Sequence, residues 1–354
     1  MIPLQKLYCI LFQSIIVLNY SFAQKTENQI RIAFGSCGHQ DHKLPVFNTI
    51  ADRNPDYFIF LGDNIYGDTD DMKVLKSKYN KLGNKKSYKN LKSKTKILAT
   101  WDDHDFGRND AGKEYPFKKE SKEIFLKFFN EPDSSERWQH EGIYQDYYIE
   151  KAGKIIQVIM LDNRTFRDKL QPYSRDFKHD SKFDFYIKDY QPHTDATKTL
   201  LGEKQWNWLE KVLSNKADLR LICSGSQFGI EWNGYEAWAN FPHEQQKMLN
   251  LIQKTKAEAV IFLTGDVHYS EISKLETDFY PIYDFTSSGL SSKWLFATPN
   301  KNRIKGAVMD NHFGLLNIDL NADYPGIKME TIDIKNNSRF ELQINLNDLK
   351  FNKE

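Results

Sequence analysis

Cysteine is scarce in this chain: three stand in 354 residues, at 9, 37 and 223. Neither sign of charge is in excess, with 49 basic side chains against 48 acidic ones. That balance excludes a strongly basic nucleic-acid coat and an acidic disordered tail, so no specific nucleic-acid partner is expected. Long hydrophobic runs are missing as well, and a mean hydropathy of −0.64 argues against a multi-span membrane protein. There is no internal repeat, no long low-complexity segment and no Pro/Gly/Ser linker to mark a domain boundary. What is present is core material: 40% of residues are hydrophobic and 14% aromatic, enough for a sizeable interior.

The one extended apolar stretch lies at the start. Residues 1–23 carry a single charge, Lys6, then an apolar run from Leu7 to Leu18, then small residues at Ser21 and Ala23. This is the pattern of a secretory leader and its cleavage site. The run is short of the ~20 residues a membrane span needs, and Cys9 sits too early for a lipoprotein anchor. The expectation is a signal peptide over 1–23 and a single catalytic domain over 28–350. The mature form would be secreted or periplasmic, have no membrane span, carry zero formal charge and be a monomer. Two cysteines then remain, Cys37 and Cys223. They would form one disulfide, or one thiol would do chemistry.

Short apolar runs at 31–37, 57–63, 97–103, 155–162, 219–226 and 259–266 read as buried strands. Amphipathic stretches at 45–52, 118–129, 203–213 and 243–254 read as helices. The alternation predicts an α/β fold. Beyond Asp266 the pattern changes to strands alone, at 270–276, 280–287, 313–320, 327–334 and 340–345, which predicts a second or strongly extended sheet. Two segments read as insertions. Residues 73–96 hold ten Lys and no acid, a solvated helical face or a positive rim for anionic substrates. Residues 165–200 are polar and aromatic.

The informative feature is what stands at the strand ends. These are Gly35-Ser36-Cys37-Gly38-His39, Gly62-Asp63-Asn64-Ile65-Tyr66-Gly67-Asp68, Trp101-Asp102-Asp103-His104-Asp105 and Thr264-Gly265-Asp266-Val267-His268. Open α/β sheets place their sites beyond the carboxyl ends of strands. An Asp after a strand is ordinarily a cap or turn former, and a lone Cys or His an ordinary core residue. Together these groups are different: carboxylates converging without a cation repel and raise each other's pKa, so bound metal is the simplest account.

In this order, G-D-x-x-Y, W-D-D-H-[DE] and G-D-x-H resemble the metallophosphoesterases of the alkaline phosphatase D type. Gly35-Ser36-Cys37, Leu161-Asp162-Asn163-Arg164 and the segment from Glu236 to Glu244 are similar to further stretches of that family. The resemblance runs from about residue 30 to about 320. It implies a four-layer metallophosphoesterase fold, two mixed β-sheets packed face to face and flanked by helices. It also implies a phosphatase or phosphodiesterase that works by in-line attack of a metal-bound hydroxide.

By matched position, Asp63 would bridge two metals. Cys37, Tyr66 and His268 would complete the first site, and Asp103 with Asp266 the second. Thiolate and phenolate suit ferric iron, and an all-oxygen site suits calcium. Fe(3+) and Ca(2+) are thus the implied pair, with Mg, Mn or Zn as alternatives. His104 would meet the phosphate or protonate the leaving oxygen, with Asp105, where the family more often has Glu, orienting it. Arg164 would bind a phosphoryl oxygen or pair structurally with Asp162. Asn64, with Asn109, would contact substrate or order the loops, and Trp238, with Trp232 and Phe241, would form an aromatic wall for an organic leaving group or pack in the core. His39 and His42 would line the site, and Gln227 would stand near the metals.

Two readings compete with hydrolysis at metal. One is a thiol hydrolase built on Cys37 with His39 or His104 as base, which leaves the Asp cluster unexplained. The other is a non-catalytic metal-dependent binder of phosphate-rich polymers.

Overall fold

The computed structural model describes residues 29–321 and 324–352; the expected signal peptide lies outside them. The first half of the chain runs β1 (Ile30–Gly35), α1 (Val46–Asp52), β2 (Tyr57–Leu61), α2 (Met72–Gly83), α3 (Lys86–Lys94), β3 (Lys96–Thr100), α4 (Asp103–Phe106), α5 (Lys118–Phe128), β4 (Gln145–Lys151) and β5 (Lys154–Met160). The insertion follows, with only a two-residue pair of strands, β6 (Gln171–Pro172) and β7 (Tyr190–Gln191). Then come α6 (Gly202–Leu213), β8 (Leu219–Ser224), α7 (Pro242–Thr255) and β9 (Val260–Thr264). The chain closes with β10 (Ser270–Leu275), β11 (Ile282–Ser287), β12 (Arg303–Val308), β13 (His312–Asp319), β14 (Gly326–Asp333) and β15 (Ser338–Asn345).

Two mixed sheets carry the fold, ordered β15-β14-β13-β1-β2-β3 and β12-β10-β11-β9-β8-β5-β4. In the first, β1, β2 and β3 are parallel and the C-terminal three are antiparallel. In the second, β5, β8, β9 and β11 are parallel. The strands beyond Asp266 therefore do not make a sheet of their own. β10 to β12 extend the second sheet, while β13 to β15 cross back to pair with β1, because antiparallel hairpins need only short turns.

Strand alternation sorts the side chains. Ile32, Phe34, Ile59 and Leu61 face the second sheet and pack with Val158, Leu221, Leu263 and Phe285. Ala33, Phe58 and Phe60 face outward under α1, α2, α3 and α5. Phe34 meets Phe285 edge-on at 4.9 Å across the sheet interface. On the second sheet, Trp206, Leu209, Met248 and Ile252 bring α6 and α7 onto the same core. The architecture is the expected one of two face-to-face mixed sheets flanked by helices.

The expected strands recur, but six of them end two or three residues sooner. Cys37, Asp63 and Asp266 take left-handed φ values of 61°, 48° and 74°, so the chain leaves the sheet before it reaches them. The pattern does not foresee β4 and β12, edge strands whose side chains are mostly exposed or half-buried, or the two-residue pair β6 and β7, all of which leave little hydrophobic period to read. The Lys-rich segment forms α2 and α3, which bury Leu75, Tyr79, Leu82, Tyr88 and Leu91 and turn most of their Lys outward, while Lys78 donates to the carbonyls of Tyr66 and Gly67.

Candidate active site

The four strand ends that stood out in sequence meet at one end of the sandwich. Their approach is close enough to require glycine. At Gly62, with φ of 98°, a Cβ would lie 2.4 Å from Asp102 Cβ; at Gly225 it would lie 2.6 Å from Asp102 Oδ1. Six acidic or ligand-type residues here hold left-handed backbone: Cys37, Asp63, Asp68, Asp110, Asp266 and His268. Each such non-glycine conformation costs on the order of 1 kcal/mol, and their clustering marks a place where packing dictates side-chain direction.

Cys37 sits at the bottom, fully buried. Its Sγ lies 3.3 Å from Asp63 Oδ2, 3.2 Å from Ser288 Oγ and 3.4 Å from the carbonyl of Asp266. Tyr66 places its hydroxyl 3.2 Å from His268 Nε2 and 3.0 Å from Ser292 Oγ. The Tyr66 ring is sandwiched, with His39 stacked at 4.7 Å and His104 at 4.2 Å. His42 stacks on His39 rather than on the metal-type ligands.

Three groups bring ligand atoms within 4.8 Å of one another: Cys37/Asp63/His268, Asp63/Asp103/His104 and Asp103/Asp110/Glu236. The chain of groups is continuous, because Asp63 belongs to the first two and Asp103 to the last two. Asp266 adds its field from the side, raised well above the carboxylate range by burial and by the charges of Asp102, Glu236 and Asp103. Asp63 is raised likewise, by burial and then by Cys37 and the neighbouring acids. Its Oδ1 is buried without a hydrogen-bond partner. A cation between these groups would take up the orphaned oxygen and relieve the repulsion, so the residues present fit bound metal.

Asp103 behaves differently. Burial would raise it, but the Arg164 guanidinium and His104 hold it down at about 2. For His104, burial opposes the charge, yet the Asp68 carboxylate and Asp103 raise it to about 9. Asp68 grips Nδ1 with both oxygens, at 2.8 and 3.0 Å. That leaves Nε2 as the ring nitrogen not engaged by Asp68.

Several expectations are corrected here. Asp105 does not orient His104. Its buried carboxylate instead accepts the backbone N–H groups of Asp102 (2.7 Å) and Asp63 (3.2 Å), the Asn64 amide and the Tyr79 hydroxyl. It fastens one strand-end loop to the next. Asn64 is fully buried, donating to Asp105 at 2.5 Å and to the carbonyl of Thr100 at 2.8 Å, so it is closed to substrate. Trp238 is buried in the core, its indole N–H on Ser224 Oγ, and Trp232 packs on the insertion against His179 and Phe183.

Arg164 is 1% exposed, too deep for a phosphoryl group. Its fork is filled by Glu236 at 2.8 and 2.6 Å and by Asp102 at 2.5 Å. Asp162 does not pair with its guanidinium; it accepts the backbone N–H of Arg164. Gln227 is buried against Glu271 and Thr286. The thiols of Cys37 and Cys223 are both free, which removes the disulfide.

The residues that sequence reasoning passed over are instructive. Asp68 lies inside the quoted G-D-x-x-Y-G-D stretch, and its spacing from Asp63 within one tight loop was a usable signal. Asp110 comes from a loop with no periodic or motif signal, and Glu236 opens a segment that resembles the family but gives no sign of this role.

The chain matches the family described as PhoD-like phosphatase over residues 32–319. It is 25% identical over 297 residues to alkaline phosphatase D of Bacillus subtilis (strain 168), covering 71% of this chain and 48% of that protein. It therefore spans about half the length of the curated relative it matches. The structure of PhoD superposes with a TM-score of 0.67 at 16% identity, over 92% of this chain and 71% of that one. A dimetal phosphatase from Danio rerio gives 0.52 at 11% identity, over 90% of this chain and 99% of that one. GAP50, the anchor in the inner membrane complex of Plasmodium, gives 0.54 at 12%, over 92% of this chain and 90% of that one. These structural likenesses show the fold, and a fold shared by phosphatases and an anchor leaves function to be argued from the site. No helix among the described residues is long and apolar enough to cross a membrane.

Proposed function

Because the chain belongs to the PhoD-like phosphatase family, we propose that it is an exported, metal-dependent hydrolase of phosphate mono- or diesters. Its ions are held by Cys37, Asp63, Tyr66 and His268 on one side and by Asp63, Asp103 and Asp266 on the other. The observation that carries this reading is Asp63: it belongs to two adjoining ligand groups and keeps one buried oxygen without a partner, as a bridging carboxylate would. A thiol beside a phenol suits iron, and carboxylate oxygens suit calcium.

When bound, the ions supply Lewis-acid charge to the phosphoryl oxygens. The protein's own groups do the rest. His104, held by Asp68 and charged at neutral pH, donates a proton to the departing alkoxide through Nε2. Arg164 acts at one remove: it holds Asp102 and Glu236 and keeps Asp103 ionised as a ligand. The buried contacts of Asp105 fix the turn that aims Asp63.

The thiol-hydrolase alternative loses ground on the same geometry. Burial pushes the Cys37 thiol up to about 12, whereas nucleophilic cysteines are lowered. The four hydrogen-bond partners of its sulfur, Ser36, Asp63, Asp266 and Ser288, include no imidazole.

The test is metal analysis by mass spectrometry on exported protein, coupled to cleavage assays. Iron together with a second ion is expected, with turnover of p-nitrophenyl phosphate, its bis ester, or both. Metal-loaded protein that cleaves neither ester overturns the proposal.

A further inference from the structure

The loop between β11 and β12 runs beside the ligand loops. Its first part is fixed to the ligand loops: the backbone N–H groups of Ser291 and Ser292 donate to the carbonyl of Cys37 at 3.1 and 3.2 Å. Trp294 follows and stands edge-on to the His268 ring, with centroids 5.8 Å apart at 81°. From there an aromatic wall runs outward. Phe296 stacks on Trp294 at 5.6 Å, Tyr235 meets Trp294 at 4.8 Å, and Tyr186 of the insertion stacks on Tyr235 at 5.6 Å and touches Phe296 at 5.3 Å.

None of these four rings belongs to a hydrophobic core cluster, and all are half-buried. Their chain neighbours are more open still: Phe185 is 62% exposed, Ile187 81% and Leu295 98%. The other flank of the site, where His39, Lys78 and Asp68 surround Tyr66 and His104, is polar. The surroundings of the ligand groups are thus polar on one side and apolar on the other, and the apolar side begins at Trp294, in contact with a proposed metal ligand.

Resting on the phosphoesterase reading above, we infer that the Trp294–Phe296–Tyr235–Tyr186 wall is the subsite for the alcohol portion of the ester, and that this alcohol is apolar. With the phosphate at the ions, an alkyl or aryl group lies along Trp294 and Phe296, and the exposed Leu295, Ile187 and Phe185 extend the apolar path for a longer chain. The wall was not legible in the sequence, since Trp294 and Tyr186 come from separate loops with no periodicity.

Alkylphosphonic acids test the inference without requiring turnover. Calorimetric titration of the metal-loaded protein is expected to give octylphosphonate at least about tenfold tighter binding than ethylphosphonate, since added methylenes bury against the rings. Trp294→Ala and Phe296→Ala are each expected to cut that ratio to about threefold or less. Equal affinities, on protein that cleaves p-nitrophenyl phosphate or its bis ester, remove the apolar subsite and leave the phosphoesterase reading standing. A preference for the octyl chain that survives both substitutions overturns the assignment to this wall. Binding of neither phosphonate, with cleavage of neither ester, overturns both readings together.

Discussion

His104 shows how one side chain is tuned by its neighbours. Burial alone would strip its proton, but Asp68 on Nδ1 and the nearby Asp103 raise it to about 9. A histidine that acts as a proton donor must be charged, so activity is expected to fall as pH rises through the range where His104, held up by Asp68, loses its proton. The sign for stability is the same. The contribution of the ion pair is complete below the ordinary histidine value of ~6.5 and is lost as pH climbs through about 9. Removing the carboxylate in Asp68→Asn keeps a hydrogen-bond partner but withdraws the charge. The alkaline limb of the kcat/KM profile is then expected to move down by about one to two pH units, with metal content unchanged. An unmoved limb would mean that a different group sets it.

Arg164 belongs to the scale of elements, because it ties three loops that belong to different strands. It sits after β5, reaches Asp102 after β3, and forks onto Glu236 in the segment between β8 and α7. Arg164 and both partners are buried. Lysine cannot fill a bidentate site, so Arg164→Lys leaves at least one buried carboxylate uncompensated, at a cost of roughly 3–5 kcal/mol. Urea denaturation should record that loss, and calorimetry should record weaker binding at the site containing Asp103. A variant with wild-type stability would show that the network is looser than its distances imply.

The same network explains what the sequence could and could not tell. The candidates Cys37, Asp63, Tyr66, Asp103 and His268 were legible as a cluster because each follows a strand within five residues and carries a metal-type donor. The strands were legible because their buried faces give long apolar runs. Asp105 and Asn64 lie within two residues of a proposed ligand in the chain, and Arg164 and Trp238 in segments that resemble the family, but sequence does not say which of these side chains turn toward substrate and which turn into the fold. Asn64 follows Asp63 yet turns under the loop to Thr100 and Asp105. The edge strands β4 and β12 were silent because a strand with one open side has little need of an apolar period.

For the whole molecule, the balanced net charge conceals a segregated one, with lysines gathered on α2 and α3 and acids gathered at the strand ends. Burial, with neighbouring charges, raises Asp63 and Asp266 well above the carboxylate range. Burial also lifts Asp102 to about 8, against the pull of Arg164, and Asp105 and Asp110 to about 7. In the metal-free protein the folded state therefore holds protons that the unfolded chain, with carboxylates near 3.9, has released. Stability from these groups is complete below the ordinary carboxylate range and is lost as pH rises through 7 to 8. The buried His268 and His312, pushed down to about 4, act in the opposite direction, but their effect is complete above ~6.5. Between pH 7 and 8.5 the acids, aided by His104, dominate. Protein treated with chelator is thus expected to be less stable at pH 8.5 than at pH 7 in urea denaturation. Bound ions replace those protons, and at a hundredfold excess over the dissociation constant they add about 2.7 kcal/mol. Because ions and protons compete for the same oxygens, the metal-loaded protein should lose most of this slope or reverse it. If the slope is equally steep with and without metal, the ions do not sit among these acids, and the bridging role of Asp63 falls with that result.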